Sequence, residues 1–346
     1  MERSNSPREG RLSNCPSPAR VKARRGSSSG LAAAGVSPAF GEGSLSQQVM
    51  KIALFHNPAA GSAMLKGSKL VRQFENAGYE VLYVSIKGKD WERAFREPIN
   101  RAVIAGGDGT VSRLAPWLAG RNIPFCILPL GTANNCARSL GQMHTVETII
   151  SRLHSAPIKQ LDLGIVTSSA GHRIFIESVG IGLLAMFMSE MRILEKKKRS
   201  RMRLTPERRL NEALKYLSLL AKEFPGADCE LLLDDQIVAG SFLLLEIANM
   251  GFIGPNLELV PNADPSDSYF DVIWVESGQR KEWRNYLKSR RKGQSLAAPV
   301  NTRRCQRIVF RYVDVPVHVD GKVFLTMETP ISIRPQSGAL ELLDFS

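Results

Sequence analysis

Three short segments carry residue types that could handle a phosphorylated ligand: Gly106-Gly107-Asp108-Gly109-Thr110, Gly131-Thr132-Ala133-Asn134-Asn135, and Asn57 through Gly61. Glycine lets a backbone come close enough for its N–H groups to meet phosphate oxygens, and the start of a following helix adds a favourable dipole. Asp108 does not suit phosphate directly, so a carboxylate amid those glycines either holds Mg²⁺ or takes a proton. The plainer reading of the pentapeptide is a tight turn with an aspartate cap. In the second segment Gly131 allows the same close approach, and Thr132 and Asn134 offer neutral donors for phosphate or ribose oxygens. Alone, it reads equally well as a helix cap. Asn57 and Gly61 are weaker still alone, and Ser85, near the end of the run Tyr79–Ile86, is grouped with them. The expected nucleotide contacts are therefore Asn57, Gly61, Ser85, Gly106, Gly107, Gly109, Thr110, Gly131, Thr132 and Asn134.

Each segment follows an apolar run. Ile52–Phe55 precedes Asn57, Ala102–Ala105 precedes Gly106, and Pro124–Leu128 precedes Gly131. Helical patterns through Leu70 and Phe74, around Trp91–Arg96, and through Val111, Leu114 and Leu118 fall between the runs. Such alternation predicts an α/β domain with a parallel sheet in three layers, and ligands bind beyond the carboxyl ends of its strands. From residue 158 the pattern changes. Strands are expected at Ile158–Val166, Arg173–Val179, Glu230–Leu233, Val238–Ala248, Phe270–Val275, Arg307–Val313, Val315–Val319, Val323–Met327 and Ile331–Arg334. Helices at Leu183–Leu194 and Glu207–Glu223 interrupt them. This predicts a mainly antiparallel β-sandwich. The expected division is an ATP-binding domain at 49–157 and an acceptor domain at 158–346, with the last strands returning toward the first. Residues 1–48 are rich in Ser, Gly, Pro, Ala and Arg and read as a disordered tail. The alternative is a start of translation at Met50.

The formal net charge of +13 suits an anionic partner without choosing among nucleic acid, membrane and phosphorylated substrate. Five scattered cysteines with no CxxC pair argue against a disulfide framework or a zinc site and fit a reducing cytoplasm. No apolar stretch approaches the roughly 20 residues that span a bilayer, and no signal-peptide pattern opens the chain. A GxxxxGK[ST] loop is absent. Gly180-Ile181-Gly182-Leu183-Leu184-Ala185 matches a dinucleotide fingerprint but lacks the acidic residue about 20 positions on, so close packing is the better use of these glycines. The basic run Arg192–Arg203, after Leu183, Met186 and Phe187, reads either as a solvated helix face or as a contact with an anionic membrane. Without interleaved aromatic residues, nucleic-acid binding is not expected.

Gly-Gly-Asp-Gly-Thr followed by Pro129-Leu130-Gly131-Thr132-Ala133-Asn134 resembles the catalytic domain of diacylglycerol kinases, sphingosine kinases and bacterial lipid kinases. The similarity runs through most of residues 50–342. It implies two domains with ATP in the cleft between them, transfer of the γ-phosphoryl group to a lipid hydroxyl, and Asp108 and Asp320 as catalytic groups in reach of a Mg²⁺ on the phosphates. Val260–Asp271 is similar to the family's loop for a structural Mg²⁺, which implies ligation by the Asp267 carboxylate and by carbonyls near Asp264 and Tyr269. Three positions depart from the pattern. Asp320-Gly321-Lys322 stands where bacterial members usually carry Asp-Gly-Glu, whose glutamate is the proton acceptor. Asn134-Asn135 replaces Asn-Asp, and Leu184 stands at the lipid-contacting aspartate. The resemblance thus leaves open proton acceptance by Asp108 or Asp320, or lost turnover in a degenerate nucleotide-binding member. An NAD kinase-like enzyme is the other alternative. A cytoplasmic protein at the inner membrane face, with a lipid substrate, is the implied setting, and a homodimer is compatible with it.

Overall fold

The protein is seen in a computed structural model that describes residues 49–61, 65–197, 205–325 and 327–345. The expected tail at 1–48 and the basic residues 198–204 lie outside these. The first strands are β1 (Lys51–His56), β2 (Glu80–Ser85), β3 (Arg101–Gly106) and β4 (Phe125–Pro129). They pair in parallel in the order β4-β3-β1-β2. Helices α1 (Gly67–Asn76), α2 (Asp108–Leu118), α3 (Asn135–Ser139) and α4 (Val146–Arg152) connect or follow them.

The central strands β1, β3 and β4 are almost wholly apolar because helices cover both their faces. Ile52, Leu54 and Val103 pack with Leu70 and Phe74 of α1 and Ile149 of α4. Ala53, Phe55 and Ile104 pack on the other side with Val111, Leu114 and Leu118 of α2. Trp91 and Phe95 join that second layer from a six-residue 3-10 helix at Trp91–Arg96. The three-layer arrangement is therefore the expected one.

The remaining chain forms β5 (Ile158–Ser168), β6 (Gly171–Phe175), β7 (Ser178–Gly182), α5 (Leu183–Lys197), α6 (Pro206–Glu223), β8 (Ala227–Leu233), β9 (Gln236–Ala248), β10 (Phe252–Ile253), β11 (Leu257–Glu258) and β12 (Phe270–Glu276). It continues with α7 (Arg280–Arg291), β13 (Asn301–Cys305), β14 (Ile308–Val313), β15 (Val317–Val319), β16 (Lys322–Phe324) and β17 (Ile331–Leu343). Pairing within this part is antiparallel. One face builds an apolar interior around Val179, Leu245, Phe270 and Val317. The opposite face of β9 and β12 is covered by α5, α6 and α7.

Three differences from expectation have physical causes. β17 does not stop at Arg334. It runs to Leu343, antiparallel to β5, and Leu342 meets Phe125 of β4 in parallel, so both sets of strands belong to one continuous sheet. The strand expected at Arg173–Val179 is broken at Ile176-Glu177, where backbone N–H groups turn to a side chain rather than a neighbouring strand. Helix α7 escapes a hydropathy reading because its sequence RKEWRNYLKSRR buries only Trp283, Tyr286, Leu287 and Ser289 among charges. Gly180 has a packing use after all. On one row across β9, β7 and β15 lie Glu246, Gly180 and His318. The glycine leaves room for His318 Nε2 to reach both Glu246 oxygens at 2.8 and 2.9 Å, with both side chains 0 % exposed. Among the described residues no helix is long and apolar enough to cross a membrane.

Candidate functional site

Parallel pairing brings the carboxyl ends of β1, β3 and β4 side by side, and the loops that leave them touch. The Asn57 N–H donates to the Ala105 carbonyl at 2.9 Å, and its Nδ2 donates to Thr110 Oγ1 at 3.2 Å. A Cβ on Gly61 would strike the Leu130 carbonyl oxygen, so the first loop also lies against the one after β4. Gly107 and Gly131 face each other backbone to backbone. A Cβ on Gly131 would stand 2.6 Å from the Gly107 Cα and 2.7 Å from Asn134 Oδ1. Neither requirement comes from a left-handed backbone here, since Gly107 has φ −113°. It comes from close approach.

Several expected ligand contacts are spent inside this framework. Asn134, left-handed at φ 53°, accepts from the Gly131 N–H at 2.8 Å and donates Nδ2 to the Gly131 carbonyl at 3.1 Å. Thr110 is 2 % exposed and packs its side chain over Gly106. These two hold the loops in shape through their side chains rather than presenting them outward. Gly109 is exposed and faces open space, with no heavy atom within 4 Å of a built Cβ, and Thr132 is partly exposed. Ser85 ends β2, opposite His56 in register.

Beneath the loops lies a group of carboxylates. Asp108 opens α2, and its Oδ1 accepts the Cys136 N–H at 2.9 Å, tying α2 to the start of α3. Asp320, left-handed at φ 45°, collects the N–H groups of Ile176, Glu177 and Ser178 at 2.9, 2.8 and 3.2 Å. That is the side chain that breaks the expected strand. Both its oxygens serve this turn, so Asp320 anchors backbone and is poorly placed to accept a proton from a ligand. The turn aims Glu177, 8 % exposed, at α3, where its Oε1 accepts from Asn135 Nδ2 at 2.9 Å. The same Nδ2 also donates to the Gly254 carbonyl at 2.8 Å. Asp108, Glu177 and Cys136 each place one potential ligand atom within 4.8 Å of the others.

Burial raises the pKa of Asp108 above the usual carboxylate range against the pull of the Cys136 N–H. Glu177 is pushed well above it by burial first, then by the charges of Asp108 and Asp320. Burial also raises Asp320, opposed by its three N–H donors. Lys322 does not intrude. It is exposed, with its ammonium 5.3 Å from the centre of the Phe324 ring.

A carboxyl whose folded pKa exceeds its unfolded value stabilises the fold fully while both states are protonated, and the contribution is lost as pH rises toward the raised value. Glu177→Gln keeps the acceptor for Asn135 but removes that loss. Its melting temperature should therefore decline less than the wild type's from about pH 5 to pH 8. Parallel thermal melts in the absence of nucleotide check this, and identical slopes would remove Glu177 as the source of strain.

The loop expected to hold a structural Mg²⁺ is held by its own hydrogen bonds and by two cationic side chains. Asp267 accepts from Arg304 and from the Tyr269 N–H, the latter at 2.9 Å, and the Arg304 guanidinium lies 4.7 Å over the Tyr269 ring. Asp264 accepts from the Ser266 N–H and hydroxyl and pairs with Lys159 at 3.4 Å. A guanidinium and an ammonium thus lie beside these two carboxylates, and the Asp267 carboxylate and the Tyr269 backbone meet in the same loop.

Two residues of the carboxylate group were not expected from sequence as site members, Glu177 and Asn135. The available signal was a lone glutamate in the apolar run Phe175-Ile176-Glu177-Ser178-Val179, which a strand reading absorbs as an outward position.

Comparison with known proteins gives a consistent picture. The family model described as "Diacylglycerol kinase catalytic domain" matches residues 51–166. A second, "YegS C-terminal NAD kinase beta sandwich-like domain", matches residues 196–344. A diacylglycerol kinase of Mycobacterium tuberculosis is 25% identical over 309 residues, covering 86% of this chain and 96% of the relative. One from Staphylococcus saprophyticus is 24% identical over 286 residues, covering 78% and 88%. Among solved structures, a putative diacylglycerol kinase from Bacillus anthracis superposes with a TM-score of 0.63 at 18% identity, covering 85% of this chain and 97% of that one. That structural likeness speaks to fold.

Proposed function

Since this chain belongs to the diacylglycerol kinase-like family of lipid kinases, we propose that it transfers the γ-phosphoryl group of ATP to the hydroxyl of a lipid alcohol such as diacylglycerol. One observation supports this reading above others: glycine loops from three strand ends interlock over the carboxylates of Asp108 and Glu177, which stand close together.

The triphosphate would lie along Gly106–Gly109 and Gly131–Thr132, with the N-terminus of the 11-residue α2 directed at it. Glu177 would offer a carboxylate oxygen to a divalent cation carried on the phosphates, leaving the neighbouring Asp108 to take the proton. When bound, the cation neutralises charge on the transferring phosphate. The lipid hydroxyl gives its proton to Asp108 as its oxygen bonds to the γ-phosphorus. The bond from that phosphorus to the bridging oxygen breaks, and ADP leaves. Phosphoryl transfer relies mostly on positioning and charge neutralisation, so a modest base suffices. Asp320 supports this by holding the Glu177 turn.

Labelled ATP offered with diacylglycerol, sphingoid bases and NAD tests the reading. Label in diacylglycerol alone supports it, label in NAD favours the NAD kinase-like alternative, and ATP binding with no transfer to any acceptor identifies a degenerate member. Lys322 decides less than its place in the sequence implied. With its side chain on Phe324, Lys322→Glu should change turnover by no more than about twofold, the scale of a surface substitution. A large gain on adding the glutamate would instead show that this strand end reaches the reaction centre.

A further inference from the structure

Helix α7 shows a charge distribution that the transfer reaction does not use. Its inward side is Trp283, Tyr286 and Leu287, all at most 1 % exposed. Its outward side is Lys281, Arg284, Asn285, Lys288, Arg291 and, just past the end, Lys292, all exposed. Spacings of three and four place these on a single stripe. No acidic residue lies on that stripe; Glu282, the only acid in the helix, is about a quarter turn away. Among the described residues, none of these cations forms a salt bridge. Arg291 donates to an amide oxygen, that of Asn211 at 3.0 Å. The neighbouring α6 contrasts with this. Its exposed cations Arg208, Arg209, Lys215 and Lys222 are interspersed with the exposed acids Glu207, Glu212 and Glu223, as on an ordinary solvated face.

Two further features separate this stripe from mere solvation. A groove of about 430 Å³ opens at the end of α7 between Lys288, Lys292, Gln294, Ser295 and Leu296, and Leu296 is 49 % exposed. A cationic rim beside an exposed apolar side chain suits an anionic headgroup layer with acyl chains beneath. The helix is also tied to the carboxylate group. Arg290 donates to the Asn256 carbonyl at 3.0 Å and the Tyr286 hydroxyl donates to the Glu258 carbonyl at 3.3 Å, fixing the β10–β11 turn. In that turn the Gly254 carbonyl accepts from Asn135, the partner of Glu177. A surface bound by α7 is thus connected through one turn to the place where an acceptor must arrive.

We propose that the outward face of α7, with the groove at its end, is the docking surface of this protein for an anionic phospholipid bilayer. The basic run expected to serve that role, Arg192–Arg203, is described only as far as Lys197, where α5 ends. Docking is independent of chemistry. Its consequence, presentation of the lipid alcohol to the site, rests on the kinase reading.

The test uses the full chain and two sets of vesicles, phosphatidylcholine alone and phosphatidylcholine mixed with phosphatidylglycerol. Wild type should sediment with the mixed vesicles, much less with the neutral ones, and should be released by salt. Replacing Lys281, Arg284 and Lys288 together by Glu should weaken binding to mixed vesicles about tenfold or more. A control with the exposed cations Arg72, Arg311 and Arg334 changed to Glu has the same net charge and should bind nearly as wild type. Equal losses in both triple variants, or undiminished binding of the α7 variant, would overturn the proposal. So would tighter binding to duplex DNA than to vesicles that is lost in the α7 variant. Turnover separates the two readings. The α7 variant should retain activity toward a lipid alcohol in detergent micelles and lose it toward vesicles. If neither protein turns over while the binding pattern holds, docking stands and the kinase reading fails.

Discussion

Asp108→Asn will reduce transfer from ATP to lipid by about 10²–10⁴-fold, the usual worth of a positioned proton acceptor, while the protein remains folded. The substitution preserves shape. Asn Oδ1 can still accept the Cys136 N–H now received at 2.9 Å, so the bond between α2 and α3 survives. What is lost is the charge and basicity, with the weaker attraction of the Asn134 and Asn135 N–H groups. Because burial already raises the Asp108 pKa, ionising it in this place is costly, and the neutral amide should leave the melting temperature unchanged or higher. Steady-state turnover beside a thermal melt reads both expectations. An Asn variant that turns over at the wild-type rate would take Asp108 out of the chemistry. A variant that melts early would show only that the bond to Cys136 had been broken. By contrast, Asp320→Asn should lower stability as well as rate. An amide nitrogen would face at least one of the N–H groups of Ile176, Glu177 and Ser178 that now bind carboxylate oxygens.

Gly131→Ala will cost both stability and activity. A single methyl would lie 2.6 Å from the Gly107 Cα and 2.7 Å from Asn134 Oδ1. The first obstacle is backbone, so it cannot rotate away. Forcing such overlap usually costs about 1–3 kcal/mol. The second obstacle is the side chain that closes a ring of hydrogen bonds with Gly131 at 2.8 and 3.1 Å, so that ring opens as well. The two loops must separate, and they are the proposed seat of the triphosphate. A displacement near 1 Å is enough to lower turnover about 100-fold. Gly109→Ala provides the contrast, since its built Cβ meets no protein atom within 4 Å. That variant should melt as wild type, and any weakening of ATP binding in it reports on the ligand alone. A Gly131→Ala protein with unaltered melting and turnover would mean that the loops are not held at this distance.

The strands and the loops that end them were legible in the sequence because both are local. Apolar runs followed by Asn57, Gly106 and Gly131 are set by neighbours along the chain, and parallel order follows from the helices between them. The antiparallel second part was legible for the same reason, in alternating runs joined by turns. Helix α7 was not, because its apolar residues Trp283, Tyr286 and Leu287 are few among charges and gain their meaning only from the layer they cover.

The carboxylate group shows where the sequence alone could not reach. Asp108 stood out by the glycines around it. Glu177 became its neighbour only because Asp320, 143 positions on, draws the Glu177 N–H out of a strand. Asn135 then bridges to Glu177 and to Gly254, 42 and 119 positions away. Lys322, alarming in the sequence for its charge, folds outward onto Phe324. Composition and pattern determined which chemistry the glycine loops of this protein could support. Which carboxylates share that chemistry was decided by tertiary contacts alone, since hydrogen bonds between distant segments leave no periodicity along the chain.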